Sequence, residues 1–224
     1  MRSSSGFTLA ELLIAMAVGS VVVGGAYASY AIVSRQYNKI TDISRLHDNG
    51  RGALNTIVRD VRMAGYKDFD TKFGSISTPL SITDSGSNQC CDQIEITYDR
   101  TSSQRVRIDY NIEPYKNRQR LYKTTYTWDG ANWVRSTTHP KGIVADYVED
   151  LQFIGRDYTP SPNQIPQIVD VFLVVRSSRE VRSTRKLYEK KTYSPGNYEI
   201  KEDDKFLRDE FSATVFVRNV SYGQ

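Results

Sequence analysis

Few side chains of this 224-residue chain stand where they could do chemistry. Cys90 and Cys91 are its only cysteines and are adjacent, while His47 and His139 are isolated. A metal site needs several ligands at short characteristic spacings, and these four residues do not supply one. There is no G-x-S-x-G, no Walker loop and no G-x-G-x-x-G, and the carboxylates are scattered without a recognisable acid–base pair. The chain is therefore read as a non-enzyme, with no cofactor and no metal. The cysteines admit three states. Neighbouring Cα atoms are about 3.8 Å apart, whereas a disulfide prefers about 4.4–6.8 Å, so a ring between Cys90 and Cys91 is strained but possible. Two free thiols, or bonds to another chain, are the alternatives.

Glu11 stands out by its place. From Phe7 to Ser34 it is the only charged residue. As a helix rising about 1.5 Å per residue, that stretch is about 42 Å long, enough for a bilayer core of about 30 Å. A carboxylate within hydrocarbon costs about 2.5–3.5 kcal/mol, so a bare anchor gains by having leucine there. Either Glu11 lies near the interface and snorkels out, or its charge has a partner, which makes burial tolerable. Gly19, Gly24 and Gly25 lie in the same run. They permit either a bend or close helix–helix packing.

The residues around Glu11 carry a resemblance. Gly6-Phe7-Thr8-Leu9-Ala10-Glu11-Leu12-Leu13-Ile14-Ala15 closely resembles the cleavage and methylation site of type IV prepilins. An ordinary secretory signal has a shorter apolar run, with its cleavage site after that run. A plain signal-anchor explains the apolar run but not this string. The resemblance implies that a prepilin peptidase cuts between Gly6 and Phe7 and methylates the new amine of Phe7. It implies that Glu11 pairs with the N-terminal amine of a neighbouring subunit. It places the precursor in the inner membrane as a single-pass protein with a periplasmic C-terminal domain, then in a pilus or pseudopilus. Its partners would be other pilins or minor pilins, an inner-membrane assembly platform and, before assembly, the lipid bilayer. The flanking Arg2, Arg35 and Lys39 set no clear orientation by themselves.

The elements around this site follow from periodicity. Ile40, Ile43, Leu46, Gly50, Leu54, Ile57, Val61 and Ala64 recur at helical spacing, with Asp42, Arg45, Asp48, Arg51, Asn55, Arg59 and Arg62 opposite. Residues 7–64 read as one helix, apolar all round and then amphipathic, with Gly65 as its stop. Gly50 and Gly52 weaken the case for an unbroken helix there. Alternation over Ile94–Tyr98 and Val106–Ile112 predicts strands. Residues 120–128 and 133–136 flank Asp129-Gly130, a hairpin signal. Residues 168–175 read as a central strand, 213–220 as a final strand, and 143–154 as either strand or short helix.

These elements predict an α+β protein, a long helix packed on a mainly antiparallel sheet, which is also the type IV pilin architecture. The expected divisions are a leader at 1–6, a transmembrane and filament-core helix at 7–34, its amphipathic half at 35–65, and a β-rich domain at 66–224. Within that domain, 177–210 reads as a charged excursion. Its basic first part, Arg179 to Lys191, is either a solvated face or a patch for a partner or DNA. The formal net charge of +4 is too small to argue for nucleic acid.

Arg59-Asp60-Val61-Arg62-Met63-Ala64-Gly65-Tyr66 adds a finer resemblance to the helix end of PilW-type minor pilins and, more loosely, of J-type minor pseudopilins of type II secretion. A helix end with a glycine cap accounts for the same residues. The reading is a PilW-like minor pilin acting in pilus assembly or priming. The alternatives are a minor pseudopilin of a type II secretion system, or an adhesin or DNA-uptake pilin.

Overall fold

The computed structural model describes residues 8–84, 90–138, 140–158, 164–181, 186–191 and 199–220. The chain divides into two units, residues 1–42 and 43–224, with the division inside the helix α1 (Leu9–Met63). No break occurs at Gly50 or Gly52.

In the first unit, α1 is exposed on every side from Leu9 to Tyr30, with leucines, isoleucines and valines facing outward.

In the second unit, α1 carries Leu46, Ala53, Ile57 and Val61 into the core, and Ala64, just past its end, follows them. The stripe thus runs somewhat differently from the periodic reading. Ala53 is fully buried, Leu54 is half-buried, and Ile40 and Asp42, which belong to the first unit, are 64% and 6% exposed. Gly50 is where the helix and a strand approach most closely. A Cβ there would fall 2.5 Å from Phe211 Cζ. The helix, whose last residue is Met63, is closed by Gly65, whose φ of +75° is the left-handed conformation of a helix-capping glycine. Its N–H donates to the Thr97 carbonyl at 2.9 Å. The Asn219 amide donates to the carbonyls of Arg62 and Ala64, both at 3.3 Å, two of the acceptors a helix end leaves open.

The larger sheet has the order β1 (Leu80–Thr83), β2 (Gln93–Thr101), β3 (Gln104–Tyr115), β4 (Arg118–Trp128), β5 (Trp133–Arg135), with β6 (Lys141–Asp146) also paired to β4. The smaller has β8 (Pro166–Arg176) between β7 (Val148–Tyr158) and β11 (Arg208–Phe216). All pairings in both are antiparallel. Residues 143–154, ambiguous in sequence, are two strands, broken at Tyr147, which takes φ 58°.

Side-chain alternation gives the larger sheet two unlike faces. Ile94, Ile96, Val106, Ile108, Tyr110 and Leu121 face the core shared with α1. Their neighbours Glu95, Arg107, Asp109 and Tyr126 face away, and the register pairs Arg107 with Tyr126 and Asp109 with Glu95. One polar tie crosses the core. Tyr110 Oη donates to Asp60 Oδ2 at 2.6 Å, and Lys123, the register partner of Tyr110, donates to the same oxygen. Burial, then the Asp60 carboxylate, push the Tyr110 hydroxyl well above its ordinary range.

Two expectations need correction. The final strand is Arg208–Phe216, followed by a 3₁₀ turn at Arg218–Val220, rather than residues 213–220. The charged excursion does not reach residue 210. Arg208 is 7% exposed, in register with Arg176, and held by Glu149 and Asp204, so it belongs to the core-forming strand. Its charge suggested exposure, but two acids, Glu149 and Asp204, and two bases, Arg176 and Arg208, neutralise one another locally. Within the excursion, β9 (Lys186–Lys191) and β10 (Glu199–Asp204) form an antiparallel pair.

Candidate processing and assembly site

Thr8 and Glu11 form a closed local unit. The Thr8 N–H and hydroxyl donate to Glu11 Oε2 at 2.8 and 2.9 Å, and the Glu11 N–H donates to Thr8 Oγ1 at 3.3 Å. This is a capping box: the hydroxyl serves an open N–H of the first turn while the carboxylate three residues on reaches back. Both residues are exposed. The spacing Thr8-x-x-Glu11 announces the motif, and the reading of Glu11 as a snorkelling or subunit-pairing charge passed over it. The carboxylate thus has a partner within its own chain. That removes part of the cost of placing it in an apolar segment and leaves its second oxygen open to another donor. Gly6 and Phe7 lie outside the described residues.

Downstream of this cap the helix is apolar. An 18-residue window of α1 reaches a mean hydropathy of 2.0, and none of it is buried in the protein. A helix that is hydrophobic all round belongs in a core or a membrane. A Cβ on Gly19, Gly24 or Gly25 would meet nothing within 4 Å, so no packing among the described residues requires a glycine there.

The remaining candidates fall elsewhere. The adjacent side chains of Cys90 and Cys91 lie together, with the Asp150 carboxylate beside them. His47 Nδ1 is 3.2 Å from Asp209 Oδ2 and meets Phe211 edge-on, a contact between α1 and β11. His139 lies outside the described residues. So do residues 182–185 and 192–198, and the side chains of 186–191 and 199–203, which include most of the basic patch from Arg179 to Lys191.

Two comparisons bear on these features. Residues 1–27 match the family model described as a prokaryotic N-terminal methylation motif. The fold is similar to that of the Type IV-like pilin TTHA1219 from Thermus thermophilus, at a TM-score of 0.50 and 14% identity, covering 79% of this chain and 97% of that one. Among curated proteins, no sequence matches. The chain thus joins a prepilin-type methylation motif to a type IV pilin-like fold, one long N-terminal helix packed on antiparallel sheets.

Proposed function

We propose that this protein is a subunit of a type IV pilus-like filament, made as a membrane-held precursor and processed at Gly6-Phe7. The observation that carries the reading is the fully exposed apolar length of α1 behind a capped Glu11. A bilayer hides such a surface before assembly, and the matching helices of neighbouring subunits hide it afterwards. The C-terminal domain lies on the periplasmic side while the precursor is in the membrane. Prepilin peptidase removes residues 1–6 and methylates the Phe7 amine. That amine, brought from a neighbouring subunit, binds the free oxygen of Glu11, so the cost of one buried charge is met by the other. The chain acts structurally, not as a catalyst.

Within this family of roles, the PilW-like minor pilin is favoured over a type II secretion pseudopilin by the run Arg59 to Tyr66. Its Asp60 is bound to Tyr110 and Lys123, which gives the run a structural purpose of its own. Cys90 and Cys91 form a vicinal disulfide in the exported domain, where an oxidising compartment maintains it. On a non-reducing gel the protein then runs as monomer, and a cross-linked dimer would show bonding between chains instead.

N-terminal sequencing and mass spectrometry of the protein from its native host test the main reading. The expected product begins at N-methylated Phe7. A chain still carrying residues 1–6 in the mature pool would overturn it. Imaging of a deletion strain separates the finer roles: loss of surface fibres marks a pilus subunit, and loss of exported proteins with fibres intact marks a pseudopilin.

A further inference from the structure

The outer face of the larger sheet, away from the helix, holds a cleft of about 800 Å³. Its floor is Glu95 and Thr97 of β2 with Arg105 and Arg107 of β3. One wall is the loop from Lys72 to Thr78, and the other is the β4–β5 hairpin with Trp128 and Trp133. These are the only two tryptophans in the chain.

The cleft is held in shape. Arg105 is 8% exposed; its Nε donates to Asp99 Oδ1 at 2.7 Å, and its Nη2 donates to the Gly74 carbonyl at 2.7 Å. Its guanidinium also lies over the Phe73 ring, 5.2 Å from the centroid. The Lys72 N–H donates to the Ser102 carbonyl at 3.0 Å. On the other side, Arg107 stacks between Tyr126 and Trp133, at 4.8 and 5.4 Å. The two indoles meet at 5.2 Å and 61° across a register pair. A cross-strand tryptophan pair stabilises a hairpin by itself. It does not account for a preformed cavity opposite, walled by Ser75, Ser77 and Thr78.

Charge and shape narrow the ligand. Arg105 and Arg107 are matched by Asp99, Asp109 and Glu95. With Lys72 counted the cleft is balanced, so it offers no positive field to gather a polyanion. Hydroxyls and guanidinium N–H groups line too much of it for a purely apolar guest. The volume falls within the ~300–1,000 Å³ of small-molecule sites. Sugars combine what is left: C–H faces that stack on indole, and a ring of hydroxyls that both donate and accept. We propose that this cleft binds a neutral oligosaccharide, stacked on Trp133 and Trp128 and hydrogen-bonded to Arg107, Glu95 and the hydroxyls of the loop. The site is independent of the filament role and makes this face a glycan-recognition surface.

The test uses the full chain, purified in a detergent without a sugar headgroup. It is applied to immobilised neutral oligosaccharides of glucose, galactose, mannose and N-acetylglucosamine. Sialylated and sulfated oligosaccharides and single-stranded DNA are included. Binding members are then titrated in solution by tryptophan fluorescence, which here reports from the cleft alone. Saturable binding of at least one neutral oligosaccharide is expected, with a change in emission. Trp133→Ala removes the platform and weakens binding by about tenfold or more, the scale of a stacked aromatic contact with its buried area. Ser77→Arg leaves both indoles in place, fills the cleft from the opposite wall, and gives a similar loss. Failure of every neutral oligosaccharide to bind overturns the proposal. So does binding confined to the acidic sugars or DNA, or wild-type affinity in either variant.

Discussion

Replacing Gly50 by alanine tests how α1 meets the smaller sheet. Gly50 and Gly52 are two residues apart in one helix, and alanine in place of either gains up to about 1 kcal/mol of helix propensity. Their surroundings differ. A Cβ on Gly52 meets nothing within 4 Å, whereas one on Gly50 would sit 2.5 Å from Phe211 Cζ, with two further ring atoms nearer still. Phe211 is 8% exposed and belongs to the core, so its ring has little room to retreat. Overpacking of a filled core costs about 1–3 kcal/mol, and three ring atoms in the way put this site at the upper end. Gly50→Ala is therefore expected to lose about 2 kcal/mol net, while Gly52→Ala gains up to about 1 kcal/mol. At roughly 2–4 °C per kcal/mol for a domain of this size, the two variants should differ in Tm by about 6–12 °C. The assay is thermal unfolding of the full chain in detergent, followed by circular dichroism. Gly50→Ala in a Phe211→Leu background should recover part of the loss, because the smaller side chain clears the clash. Equal melting temperatures for Gly50→Ala and Gly52→Ala would refute the argument.

Other perturbations probe the remaining ties. Lys123→Met leaves Asp60 buried with Tyr110 and a 3.5 Å contact to Arg59. The expected loss is below the ~3–5 kcal/mol of a fully buried pair, because Lys123 is partly exposed; the double variant with Asp60→Asn should regain stability in chemical denaturation, and no regain would mean the charge was not the cause. Burial raises the Asp109 carboxyl to about 6, against the pull of Arg107. The folded state then holds this proton more tightly than the unfolded state does, so the group's contribution falls as pH rises from about 4 to 6. Asp109→Asn should flatten Tm over that window and raise it above, and an unchanged slope would assign the pH dependence elsewhere. Thr8→Val breaks the cap at a cost of about 0.5–2 kcal/mol of helix stability but keeps the carboxylate. Filament incorporation should survive Thr8→Val and fail in Glu11→Leu, with insertion and cleavage intact in both; normal incorporation of Glu11→Leu would rule out subunit pairing.

What could be read from sequence divides by range. Period-two alternation in Ile94–Tyr98 and Val106–Ile112, and the turn chemistry of Asp129-Gly130, are local, and they identify strands and a hairpin. In the turn, Asp129 Oδ1 accepts from the N–H groups of Ala131 and Asn132 at 2.8 and 2.7 Å, and Gly130 takes φ +107°. Fold class followed from such signals together with the helix. The misplacements concern long-range neighbours. Arg208 looks like solvent-facing charge until Glu149, far away in sequence, meets it. Asp60 sits on the buried side of α1 because Tyr110 and Lys123 come from strands that its own periodicity cannot reveal. The aromatic cleft unites Arg107, Trp128 and the loop near Phe73 through sheet register, which no spacing along the chain encodes. The cap of Glu11 is the opposite case: wholly local, and legible in the spacing of Thr8 and Glu11, but masked by the cost of a lone charge in an apolar run.

The closure of the helix end by Asn219 has a consequence for how the protein is made. The carbonyl of Ala64 waits for a side chain 155 residues further along. At about 5–20 residues per second of synthesis, that interval is roughly 8–31 s. Throughout it the apolar start of α1 has left the ribosome while the domain that follows lacks its last strand, β11, and the aromatic ring that fills the notch at Gly50. Translation thus imposes an order, anchor first and domain last, and the exposed face of a half-built core must be sheltered during the delay.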